Sequence, residues 1–209
     1  MEAKLLISFL IASLILTIMP GPDNIFVLTE SLTKGRRNGI AISLGLSTGI
    51  VVHTFAAATG LSIIIQNSAI AFSIIKYLGA GYLFFLAVAA SKDKKPSIES
   101  NSIVGENGES TIQLMKKGFW MNVLNPKVSL FFIAFLPQFI SKDGFNTTYQ
   151  MIILGLIFMI EAIVIFSLIS ILSGRLTDYL TSSKFWRITK WCKVSVLSIL
   201  GLTLALSKK

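Results

Sequence analysis

The chain has 209 residues, of which 53% are hydrophobic and only 14% charged, against about 25% charged in soluble domains. With a mean hydropathy of +0.74, it reads as an all-α integral membrane protein rather than one large soluble core. The net charge of +9 does not indicate nucleic acid, because the basic residues cluster beside apolar runs, where they orient the chain and meet anionic lipid.

Cys192 is the only cysteine and His53 the only histidine. A disulfide framework, a cysteine cluster or a multi-histidine metal site is therefore excluded within one chain, and no metal or cofactor is expected.

A membrane span needs about 20 mostly apolar residues. The first predicted span covers 5–28 and opens like a signal peptide, with charge before an apolar run. It lacks a small-x-small cleavage site and runs into an equally apolar chain, so it is expected to remain as a span. Pro20-Gly21-Pro22 breaks it, with Asp23 and Asn24 directly after. Spans two and three are predicted at 39–64 and 70–90. Residues 91–117 are polar and read as a flexible cytoplasmic connector. Span four, 118–140, is broken at Asn125-Pro126, followed by Lys127. Spans five and six are predicted at 149–173 and 190–207.

Thirteen lysines and arginines flank one side of these spans and five the other. Positive residues stay cytoplasmic, which predicts both termini outside.

The two broken spans echo one another. When MPGPDNIFVL is set over LNPKVSLFFI, Pro22 falls on Pro126 and Asp23 on Lys127. Leu44-Gly45-Leu46 pairs with Leu154-Gly155-Leu156, and Leu78-Gly79 with Leu200-Gly201. This predicts two repeats, 1–90 and 118–209, joined by the 91–117 connector. Three spans is an odd number, so the second copy enters the membrane inverted, the plan of many secondary transporters.

Proline removes a backbone donor and clashes with the preceding turn. The carbonyls so freed cost several kcal/mol each in hydrocarbon unless something binds them, so a broken helix at depth belongs beside a cavity. A half-helix starting at Asp23 offers unpaired N–H groups and a positive dipole end. Such ends suit a carboxylate and loosened carbonyls suit an ammonium, so two crossed breaks are matched to a zwitterion.

Charges inside spans are costly and mark function by default. Asp23 and the backbone near Gly21 are expected to take a substrate amine, with Asn24 beside them. Lys127, next to Asn125, is expected to take a carboxylate or to pair with Asp23. Glu161 lies near the middle of span five and, with Asp23, is a proton-coupling candidate. His53 lies on a small-residue stripe with Ala41, Gly45, Gly49 and Ala57, so it faces the bundle and is a candidate relay or a structural bond. Glu30, Gln138 and Lys76, near span ends, read as interfacial.

These residues place the sequence beside a known family. Pro20-Gly21-Pro22-Asp23, Lys34-Gly35-Arg36-Arg37-Asn38-Gly39, Gly79-Ala80-Gly81-Tyr82-Leu83, Asn125-Pro126-Lys127, Gly174-Arg175-Leu176 and the closing Gly201-Leu202-Thr203-Leu204-Ala205-Leu206 together resemble the lysine-exporter-type (LysE/RhtB) amino-acid efflux transporters of the bacterial inner membrane. The resemblance implies export of an amino acid or close derivative, driven by an ion gradient. The long polar connector departs from it. The expected partners are a small-molecule amino-acid substrate and the lipid bilayer, with a homo-oligomer left open. The competing readings are a divalent metal-ion or other small-cation exporter and a non-transporting membrane scaffold. A membrane enzyme would need a clustered nucleophile and base, and no such pattern occurs.

Overall fold

The computed structural model describes residues 2–93, 109–141, 144–175 and 182–207. Among them the chain is helical, with no strand.

Helix α1, Ala3–Ile18, stops two residues before Pro20, and α2, Pro22–Lys34, restarts with proline in its first turn, where the missing N–H would have been unpaired anyway. The two axes meet at 55°. Only Gly35 separates α2 from α3, Arg36–Ala56, and its φ of +93° is a left-handed geometry that glycine adopts without a Cβ clash. α3 continues through a five-residue π turn, Ala57–Leu61, into α4, Ser62–Asn67. α5, Ala69–Lys92, is capped by Ser68, whose hydroxyl accepts from the Ala71 N–H at 3.1 Å.

The second broken span is built from α6, Thr111–Val123, and α7, Pro126–Leu130. A π turn at Phe131–Phe135 and a 3-10 turn at Leu136–Phe139 around Pro137 extend it. Its two parts are bent by 49°. α8, Thr147–Ile171, and α9, Ser183–Leu206, follow.

Among the described residues, four helices, Arg36–Ile64, Ile70–Lys92, Thr147–Ile171 and Trp186–Leu206, are long and apolar enough to cross a membrane, and the two bent pairs raise the number to six if each is one span. Outward faces carry large apolar side chains such as Leu78, Phe85, Ile160, Val164 and Leu202. A belt of this kind suits lipid rather than water.

The expected connector is shorter than its composition suggests. Residues 94–108 lie outside the described residues, but Thr111–Lys117 already form the first turns of α6. Ser110 makes them helical: its hydroxyl accepts from the Gln113 N–H while the Gln113 side chain accepts from the Ser110 N–H at 2.8 Å.

α3 is the centre of the bundle and packs on α6 and α8, while α5 packs on α9. The α3–α6 approach is close because Gly45 lies on the Met115 carbonyl and Gly118 on the Ile42 carbonyl. A Cβ at either place would enter the other helix's backbone, so the small-residue stripe is a packing seam.

Lys76 does not face outward. It is 5% exposed and its ammonium donates to the Ser207 carbonyl at 2.8 Å, closing the C-terminal end of α9.

Candidate functional site

The first break leaves the last carbonyls of α1 without helical partners. Three of them are taken by side chains. The Asn24 amide donates to the Thr17 carbonyl at 2.9 Å. The Lys127 ammonium, from the other broken span, donates to Leu16 at 3.1 Å and Met19 at 3.5 Å. This is also where a cation is favoured by the α1 dipole. Gly21, the N-cap of α2, lies against the same ammonium, 3.5 Å from where its Cβ would stand.

The second break leans back on the first. Asn125 caps α7, its side-chain oxygen accepting from the Lys127 N–H at 3.0 Å. Its amide nitrogen donates to the Asp23 carboxylate at 2.6 Å. Asp23 stands in the first turn of α2, where an anion is favoured. It is 2% exposed.

Among the described residues, no ion pair within 4.0 Å joins Asp23 to Lys127. Each charged group is held by the opposite break, and the two face a common cavity.

That cavity has room for about one water, ≈ 10 Å³. Leu16 and Thr17 wall it from α1, Asp23 from α2, Ile50 from α3, Asn122 from α6, and Lys127 and Val128 from α7. Phe158, Ala162 and Phe166, four residues apart on α8, form an apolar side. Beyond Phe158 aromatic rings pack together: Phe131 stacks on Phe158 at 5.3 Å, with Phe9, Phe132 and Phe135 around it. Two turns past Asp23, Ser31 bonds Ser170 at 3.0 Å, and Ser170 donates to the Arg36 carbonyl at 2.9 Å.

The other candidates lie around this centre. His53 places Nε2 3.1 Å from the Asn122 main-chain oxygen and its ring 5.7 Å from Phe132. Glu161 is partly buried on α8 and accepts from the Ser13 hydroxyl of α1. It adjoins Ala162 but does not line the cavity. Pro20, Pro22 and Pro126 stand at the two bends.

Sequence reasoning missed Asn122, a second carboxamide one turn before Asn125, and the Phe158–Ala162–Phe166 stripe. The first was visible as another polar residue in an apolar span. The second has no signal until its partners are known.

An all-helical membrane protein with two bent apolar helix pairs, and with an ammonium and a carboxylate at their crossing, belongs to the class of multi-span carriers. Residues 14–208 match the LysE type translocator family, and the chain belongs to that family. It is 31% identical over 202 residues to an uncharacterised membrane protein, YrhP, of Bacillus subtilis (strain 168), covering 94% of this chain and 95% of that one. It is 27% identical over 183 residues to an uncharacterised membrane protein of Vibrio cholerae, 87% of each chain. It is also 27% identical over 177 residues to the leucine efflux protein of Enterobacter sp. (strain 638), 85% of this chain and 83% of that one. No solved structure matches the chain.

Proposed function

We propose that this protein is a secondary active exporter of an amino acid or close derivative across the bacterial inner membrane, working by alternating access with both termini outside. The observation that carries this reading is the seating of the Lys127 ammonium on the Leu16 and Met19 carbonyls, beside the Asp23 carboxylate and the shared cavity. An ammonium already occupies the carbonyl cage that the first break creates, so the cage fits an amine. A substrate amine entering this cage, with Asp23 beside it, displaces Lys127 toward the substrate carboxylate. The N-terminus of α2 adds a second anion-favouring element.

A divalent cation would meet Lys127's positive charge in the same cavity, whereas a zwitterion uses both signs. The named activity of the Enterobacter relative, leucine efflux, agrees with an amino-acid substrate. Phe158, Ala162 and Phe166 give its side chain an apolar wall.

The repeat reading has support in packing. The second span lies on the fifth and the third on the sixth, as copies related by a pseudo-twofold axis would. The echoed Gly45, Gly79 and Gly155 each sit where a Cβ would enter a neighbour, at Met115, Ala134 and Thr54. Rocking of the halves would open the aromatic cluster around Phe131 and Phe158 and the Ser31–Ser170 contact in turn. Protonation of Asp23 or Glu161, with His53 as a relay in the bundle, would couple that exchange to a proton gradient.

Counterflow of labelled amino acids into proteoliposomes tests this directly. At least one amino acid is expected to exchange, faster with an imposed pH gradient. Exchange of divalent metal ions without exchange of any amino acid would overturn the reading.

A further inference from the structure

Asn122 stands on α6 one turn before the second break and is 1% exposed. It lines the cavity shared by Asp23 and Lys127. Its main-chain oxygen is engaged by His53, but its carboxamide oxygen is sealed from solvent and has no hydrogen-bond partner. Buried polar groups are almost always paired, and an orphan in a native core calls for a ligand, water or ion.

Space has been made for this side chain. A Cβ on Gly49 would stand 2.8 Å from the Asn122 Cβ and 2.9 Å from its carboxamide oxygen, so the opposing helix carries only hydrogen there. Packing alone does not call for a carboxamide, because the cavity's other walls near it, Ile50 and Val128, are apolar.

The missing partner must donate. The acceptors nearby are the Leu16 carbonyl, already reached by Lys127, and the Asp23 carboxylate, already reached by Asn125. A group with several N–H donors at one atom, a primary ammonium, can serve Asn122 and these acceptors together.

We infer that Asn122 is a substrate-contacting residue whose carboxamide oxygen accepts a hydrogen bond from the substrate's primary ammonium, and that it sets the preference for amine-bearing substrates. This rests on the amino-acid exporter reading and names a group that decides what the exporter accepts. Gly49 is the matching positioning residue, because a Cβ there would crowd the Asn122 carboxamide oxygen as well as the Phe119 carbonyl.

The test is counterflow competition in proteoliposomes, using for each exchanged amino acid the same compound without its amine, the des-amino carboxylic acid. Wild type should prefer the amine-bearing compound. Asn122→Leu, of similar size without the acceptor, should weaken that preference about ten-fold, ~1.4 kcal/mol, by raising the half-saturating concentration of the amino acid while the des-amino acid competes as before. Asn122→Asp keeps the acceptor and should retain the preference. Gly49→Ala should shift it in the same direction as Asn122→Leu. Should Asn122→Leu not fold, the Asp and Gly49 variants decide alone: loss of preference in Asn122→Asp, or full preference in Gly49→Ala, overturns the inference. It is also overturned if Asn122→Leu keeps wild-type preference, or weakens both competitors equally. Failure of wild type to exchange any amino acid would instead overturn the exporter reading, leaving the two outcomes distinguishable.

Discussion

The two breaks are built from similar parts but carry their charges differently. In the first, Asp23 stands in the opening turn of α2, where the helix dipole favours an anion. In the second, Lys127 stands in the opening turn of α7, the end a cation avoids. The lysine is therefore not at home on its own helix and reaches 3.1 Å from the Leu16 carbonyl, at the C-terminal end of α1, where a cation is favoured. Asp23 is stabilised within its own half and needs only the Asn125 amide from the other. One charge is thus held mainly by its own helix and the other braces the two bent spans, the group that on the proposed mechanism gives way to a substrate amine.

This asymmetry predicts unequal losses. Lys127→Met removes a charged donor and leaves two backbone carbonyls unsatisfied. The unsatisfied carbonyls should lower the thermal midpoint of the purified protein, and loss of the cation proposed to take the substrate carboxylate should cost about 1.5–3 kcal/mol, ~10–100-fold in apparent affinity. Asp23→Asn keeps an acceptor for Asn125 and should abolish gradient-driven efflux with the thermal midpoint nearly unchanged. Equal destabilisation of both variants would break the comparison.

A smaller effect is expected away from the site, in the seam between α3 and α6. Gly45→Val would push a side chain into the Met115 carbonyl and should cost about 1–3 kcal/mol of stability, read as a lower thermal midpoint. Gly81→Ala, where nothing lies within 4 Å, should leave the midpoint in place.

The smallest effect belongs to the ion pairs near the start of α6. Glu109 accepts from Lys34 at 3.1 Å and stands 3.8 Å from Lys117. The Lys34 hydrogen bond is the main cause holding its carboxyl below the ordinary carboxylate value. A depressed carboxyl contributes stability above its unfolded value and loses it as pH falls through the folded one, so the contribution is intact at neutral pH and fades in acid. The groups are solvated and screened, so Glu109→Gln should change thermal stability at pH 7 only within error.

Much of this arrangement was readable in the sequence. Proline chemistry marked both bends, and the rarity of charge in apolar runs singled out Asp23 and Lys127. What the sequence did not disclose was who holds whom. The bond from Lys127 to the Leu16 carbonyl spans 111 positions and leaves no local pattern. Burial of Lys76 against the end of α9 was hidden for the same reason, since its partner is a carbonyl, which every residue carries. Polarity misled at Thr111–Lys117, where a local cap at Ser110 overrides a connector-like composition. Asn122 went unmarked because a neutral carboxamide in a span attracts less notice than a charge, and its buried, unpartnered oxygen shows only in the fold.

The central claim is that the crossing of the two breaks binds an amino acid. Equilibrium binding of labelled amino acids to the purified protein in detergent tests it most directly, comparing wild type with Asp23→Asn and Lys127→Met. The account predicts saturable binding by wild type of at least one amino acid, weakened at least about ten-fold in each variant. Binding by both variants with wild-type affinity would contradict it.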